Sequence, residues 1–123
     1  MVYTLTGHTN RVNTLATLPN GNLASGSYDK TVKIWNPNTG SLVYTLKGHT
    51  SDVYTLATLP NGNLASGSSD RTVKIWNSTS GILVNTLTGH TDRVLTLATL
   101  PDDNLASGSF DNTVRIWNPL GTF

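Results

Sequence analysis

One stretch of sequence constrains this chain more than any other. NLASGSYDKTVKIWN at 22–36 returns as NLASGSSDRTVKIWN at 63–77 and as NLASGSFDNTVRIWN at 104–118. The copies start at Asn22, Asn63 and Asn104, a constant step of 41, and three such periods fill the 123 residues. A period of this size means an array of one small unit, in which each unit buries its apolar face against the next. The organisation predicted is three units, at 1–41, 42–82 and 83–123.

Within a period the pattern is that of short strands. Residues 2–5 (VYTL) form a β-type run that returns at 43–46 and, as VNTL, at 84–87. Residues 12–18 (VNTLATL) form a second run, closed by Pro19-Asn20-Gly21-Asn22. Asn-Gly between two such runs is a strong hairpin signal, since both turn positions tolerate positive φ. The third period has Asp102-Asp103 there instead. Residues 23–27 form a third strand. Residues 31–35 (TVKIW) form a fourth, with Val32 and Ile34 on one face and Thr31, Lys33 and Trp35 on the other. No stretch has a 3.6-residue period, and the Thr, Ser, Asn, Gly, Val and Leu that dominate favour strands and turns over helices. The fold class expected is all-β, built of four-stranded antiparallel meanders.

Each period also carries Gly-His near its start and Ser-Gly-Ser-x-Asp-x-Thr-Val-Lys/Arg-Ile-Trp near its end. This composite resembles the WD-repeat (WD40) β-propeller blade, and it covers the chain three times over. One departure is uniform. The family's Trp-Asp is Trp-Asn here, at Trp35-Asn36, Trp76-Asn77 and Trp117-Asn118. Another is Ala-Thr-Leu in the first long strand, where the family usually has Ala-Phe-Ser.

Four residues recur at fixed offsets: His8, Ser25, Asp29 and Trp35; His49, Ser66, Asp70 and Trp76; His90, Ser107, Asp111 and Trp117. Ser, His and Asp together invite a hydrolase reading. The resemblance implies instead a buried structural hydrogen-bond network. The donor inventory agrees: indole only donates, ionised carboxylate only accepts, and Ser and His do both. Three identical copies also argue against a catalytic site, so no catalytic residue and no enzymatic activity is expected. No metal-ligand spacing and no phosphate loop appear, so neither a metal nor a cofactor is expected. The absence of cysteine removes disulfides and thiolate sites.

Charged residues make up 12% and the net charge is +1, which excludes binding of nucleic acid or membrane by bulk electrostatics. No apolar run reaches a membrane span, and the first residues do not read as a secretory signal. A soluble protein is expected, with a cytoplasmic location the most compatible.

The periods differ most in three loops. The first carries Asn10-Arg11, Ser51-Asp52 and Asp92-Arg93. The second carries Tyr28/Lys30, Ser69/Arg71 and Phe110/Asn112; the last spans 37–41 and 78–82. The resemblance puts the first two loops on one rim of a ring, the family's usual partner-binding face. Asn10, Arg11, Tyr28, Lys30, Asp52, Arg71, Arg93 and Phe110 are the candidate contacts for a protein or peptide; ordinary solvent-facing variation is the competing account. Asn13, Tyr54 and Leu95 also differ, on the strand that lines the channel in the family.

Three units are too few to close a propeller, which needs about four to eight. In the family the run at 2–5 is the outermost strand of the preceding blade. So Val2, Tyr3, Thr4 and Leu5 have no blade of their own, and Thr113, Val114, Arg115, Ile116 and Trp117 have no outer neighbour. The two defects complement each other across copies, since Met1 follows Phe123 in register with the period. A cyclic homo-oligomer with strand exchange is expected. Small filling residues, with Thr17, Thr58 and Thr99 where the family often has Phe, suit a narrow wedge between blades. That favours a nine-bladed trimer, with a six-bladed dimer next. Near-identical periods point to recent amplification, to deliberate design or to excision from a longer propeller.

Overall fold

A computed structural model describes residues 2–119. Eleven strands make three antiparallel sheets among these residues. The first sheet is β1 (Val12–Thr17), β2 (Leu23–Ser27), β3 (Val32–Asn36) and β4 (Ser41–Leu46), in that order. The second is β5 (Val53–Thr58), β6 (Leu64–Ser68), β7 (Val73–Trp76) and β8 (Leu83–Leu87). The third has only β9 (Val94–Thr99), β10 (Leu105–Ser109) and β11 (Val114–Trp117). No described residue is helical.

Registers repeat between sheets. Leu15 pairs with Ser25 as Leu56 pairs with Ser66 and Leu97 with Ser107. Each first strand carries an irregularity at its start, between Val12 and Thr14, Val53 and Thr55, and at Val94 opposite Ser109. The Asn-Gly hairpins differ from a two-residue turn with positive φ at both centres. Only Gly21 (φ 88°) and Gly62 (φ 91°) are left-handed. Gly21 N–H donates to Leu18 C=O at 3.0 Å, and Leu18 N–H donates to Asn22 C=O at 2.9 Å. This is a three-residue loop with Pro19 first and a left-handed residue last. In the third sheet Asp103 takes the glycine's place at φ 61°.

The sheets pack face to face. Ala24, Val32 and Ile34 of the first sheet bury against Val53 and Leu56 of the second. Ala65, Val73 and Ile75 of the second bury against Val94 of the third. Close approach depends on Gly26 and Gly67. A Cβ on Gly26 would stand 2.7 Å from Val53 Cγ1, and one on Gly67 would stand 2.7 Å from Val94 Cγ1. Each large apolar side chain sealed in these layers contributes about 1.5–3 kcal/mol.

Two sheet faces stay open. Val114 is 72% and Ile116 55% exposed, where Val73 and Ile75 are sealed at 0%. On the opposite end, Val12 is 52% and Leu15 61% exposed, where their counterparts Val53 and Leu56 are 0% and 8%. The run at 2–5 is not itself a strand. It lies beside the first sheet, with the Tyr3 ring on Gly40 and the Tyr3 hydroxyl donating to Asn38 C=O at 3.0 Å. Tyr44 of β4 sits the same way on Gly81 and donates to Thr79 C=O at 3.0 Å.

Candidate functional site

Two constellations stand out: one inside each sheet and one along a rim. The inner one begins with the turn after β2. Lys30 N–H donates to Ser27 C=O, and Lys30 takes φ 75°, as Arg71 does in the second sheet. That turn aims Asp29 back at the Gly-His loop. Gly7 and Gly48 let Trp35 and Trp76 lie against that loop; a Cβ at either glycine would stand 3.2 Å from the indole.

The distances hardly change between copies. Trp35, Trp76 and Trp117 donate through Nε1 to Ser25, Ser66 and Ser107 at 2.7–2.8 Å. Each serine Oγ lies 2.6 Å from Nε2 of His8, His49 or His90. Each Nδ1 lies 2.7 Å from Asp29, Asp70 or Asp111. An ionised carboxylate can only accept, so Nδ1 donates to it, while serine and imidazole can each donate or accept. A chain of donation from Trp to Ser to His to Asp satisfies every member.

A fifth member, not singled out in the sequence, completes each set. Thr31, Thr72 and Thr113 donate to the second carboxylate oxygen from both N–H and Oγ1. The recurrent Asp-x-Thr was the available signal, since a short acidic residue bonds the backbone two positions on. Burial alone would raise the carboxyl pKa of Asp29, Asp70 and Asp111. The threonine, histidine and backbone hydrogen bonds outweigh it and hold all three well below the usual carboxylate range.

Chemically this arrangement is a closed lock. Ser25, Ser66 and Ser107 are buried, and each hydroxyl is engaged by both indole and imidazole. A hydrolytic serine must instead face its substrate. Among the described residues no three His, Cys, Asp or Glu groups gather as metal ligands, and no helix is long and apolar enough to cross a membrane.

The rim constellation is a ladder of cations and rings. The Arg11 guanidinium lies over Tyr28 at 5.7 Å, and Tyr28 meets Tyr54 edge-on at 5.7 Å. Arg93 Nη1 donates to the Tyr54 hydroxyl at 3.3 Å, and its guanidinium lies over Phe110 at 5.8 Å. Tyr54 thus joins this rim rather than only lining a channel. Asn10 accepts from Arg11 N–H. Lys30, Asp52 and Arg71 lie in the same loops, Lys30 and Arg71 at the left-handed turn positions. Thr113, Val114, Arg115, Ile116 and Trp117 line the open edge of the third sheet, while Val2, Tyr3, Thr4 and Leu5 lie at the far end of the chain's array. Asn13 Nδ2 reaches Val53 C=O at 2.9 Å.

The uniform Trp-Asn has a clear local role. Asn36 accepts from Asn38 N–H at 2.9 Å, and Asn77 accepts from Thr79 and Ser80. The side chain thereby turns the loop that leads to the outer strand, a task either Asn or Asp performs.

Comparison with known proteins agrees with this geometry. The family model described as "WD domain, G-beta repeat" matches residues 1–36, 40–77 and 81–118. No curated protein matches the chain. Among solved structures, the WD40 β-propeller domain of Doa1 is 35% identical and superposes with a TM-score of 0.84. That match covers 89% of this chain and 37% of the other, so the chain spans little more than a third of its solved relative.

Proposed function

Because the chain belongs to the WD40 family, whose blades build closed rings, we propose that it is a self-assembling propeller building block. Copies join head to tail. The open face of the third blade, with Val114 and Ile116, receives Val12 and Leu15 of the next copy. Residues 2–5 of that copy become the fourth strand of the third blade.

One observation carries this reading: the two open faces are repeats of faces that already meet twice within the chain. Val53 meets Gly26, and Val94 meets Gly67, while among the described residues no valine takes that place at Gly108. A hollow of about 110 Å³ opens on the first blade between Leu5, Val12, Leu15 and Trp35, where a preceding blade would pack. A contact between unlike faces of identical subunits closes into a ring when the rotation allows it. The favoured ring is a nine-bladed trimer, with a six-bladed dimer next.

Solution mass tests it. Three times 13.2 kDa, by sedimentation equilibrium of the 123-residue chain, supports the trimer, and twice that mass the dimer. A well-folded monomer overturns the proposal and leaves blades of some other polypeptide as the natural cover for both faces.

The rim ladder favours a second reading, a scaffold for an acidic or aromatic segment of a partner protein. Its guanidinium and ring faces suit carboxylate and stacking contacts. Titration with acidic peptides that contain tyrosine tests it. Tyr28→Ala or Arg93→Ala should abolish binding at unchanged oligomer mass.

A further inference from the structure

Arg115 holds the place in the third blade that Lys33 and Lys74 hold in the other two. Both lysines reach the outer strand of their own blade. Lys33 Nζ donates to Thr45 Oγ1 at 2.9 Å and Lys74 Nζ to Thr86 Oγ1 at 3.0 Å, each between residues directly opposite in the ladder. The third blade has no outer strand among the described residues, and its cation differs in kind. The Arg115 guanidinium lies along Gly89, with Nη1 3.2 Å from where a Cβ there would stand. Its Nε is buried and has no hydrogen-bond partner. A buried N–H of a charged group left without an acceptor costs more than a neutral one. The other two blades show where an acceptor would come from.

We infer that Arg115 selects and registers the strand that completes this edge, by donating to the Thr4 hydroxyl of a second copy. The inference rests on the head-to-tail closure proposed above. Carrying the ladder of the second blade forward by one period sets Val114 opposite Leu5, Arg115 opposite Thr4 and Ile116 opposite Tyr3. Thr4 is the counterpart of Thr45 and Thr86. A hydroxyl has two lone pairs and can accept here whatever else it contacts. Lys33 and Lys74 combine the two roles by stem and tip, with Cε 3.7 and 3.6 Å from where a Cβ on Gly7 or Gly48 would stand, and the planar fork of Arg115 does so by keeping Nη1 against Gly89 while another N–H meets the strand.

The selectivity follows from register. A strand slipped by one residue turns every side chain to the wrong face and sets Leu5 or Tyr3 opposite Arg115. Leu5 has no acceptor, and the Tyr3 hydroxyl stands a ring's length from its backbone. The site therefore takes an extended segment with a short hydroxyl side chain opposite Arg115 and an apolar residue next to it, opposite Val114.

Sedimentation of the full chain across a dilution series tests the contact. Thr4→Val and Arg115→Met should each raise the concentration of half-dissociation about tenfold. The double variant should be no weaker than either single one, because both remove the same bond. Arg115→Lys should recover most of the loss, as lysine serves in the other blades. Thr45→Val should lower the melting temperature without shifting dissociation. Wild-type chain that never assembles overturns the ring closure itself. Wild-type chain that assembles, with Thr4→Val indistinguishable from it, overturns the role of Arg115 alone; so do single effects that simply add. If Arg115→Met does not fold, Thr4→Val and Arg115→Lys still decide the matter.

Discussion

The second and third blades carry nearly the same strand, TVKIW in one and TVRIW in the other, in opposite surroundings. In β7, Val73 and Ile75 are sealed between two sheets. In β11, Val114 and Ile116 face outward, with no fourth strand beside them among the described residues. Both strands nevertheless pair with their inner neighbour in the same register, Val73 opposite Gly67 and Val114 opposite Gly108. Local sequence therefore builds each sheet without help, and burial comes from whatever stands next to it. The largest effect expected lies in that contrast. In dilute solution Ile75→Ala should cost about 4 kcal/mol of unfolding free energy, and Ile116→Ala less than about 1. Urea titration at a concentration where copies are apart measures both. Equal losses would mean that the open face is covered within the chain and would erase the contrast.

The inner locks show the opposite behaviour, being alike in all three blades whatever their outer cover. Asp70→Ala leaves His49 and the Thr50 and Thr72 donors without an acceptor and should cost about 3 kcal/mol, while Asp52→Ala should stay within about 0.5. Coincident melting curves for these two variants would deny that the lock stabilises the blade.

A smaller and shared effect comes from acid. The three lock carboxylates have folded-state values below their unfolded value near 4. Their stabilisation is present in full above about pH 4 and is lost as pH falls through the folded values. From this contribution the urea midpoint should drop between pH 4 and 3. Asp70→Asn should flatten that drop in part. An unchanged slope in that variant would place the acid sensitivity elsewhere.

Much of the fold was legible because the signals are local and repeated. The step of 41 and the alternation in TVKIW located the strands, and the tight spacing from Ser25 to Trp35 marked the lock. What escaped depends on three-dimensional context. Nothing in Asn20-Gly21 distinguishes a turn with two left-handed residues from a loop with one; Pro19, which favours the first corner, was the overlooked cue. Thr31 looked like an ordinary strand residue, because its hydroxyl matters only once Asp29 folds back on it. Tyr54 stood in a channel-lining strand by pattern, yet its ring is drawn to Tyr28 of the neighbouring blade and its hydroxyl to Arg93. Such contacts join residues about 26 and 39 positions apart and leave no periodic trace.

The seat of Tyr3 on Gly40 bears on how quickly any completed edge can form. A four-residue tail moving freely would lose about 1–2 kcal/mol of backbone freedom per residue on being laid into a sheet. Here the ring and hydroxyl of Tyr3 already tie the tail to the loop at Asn38 and Gly40. Much of that loss falls during folding of the single chain instead of at encounter. Docking then resembles two rigid bodies meeting, for which rates of about 10⁵–10⁷ M⁻¹s⁻¹ are usual.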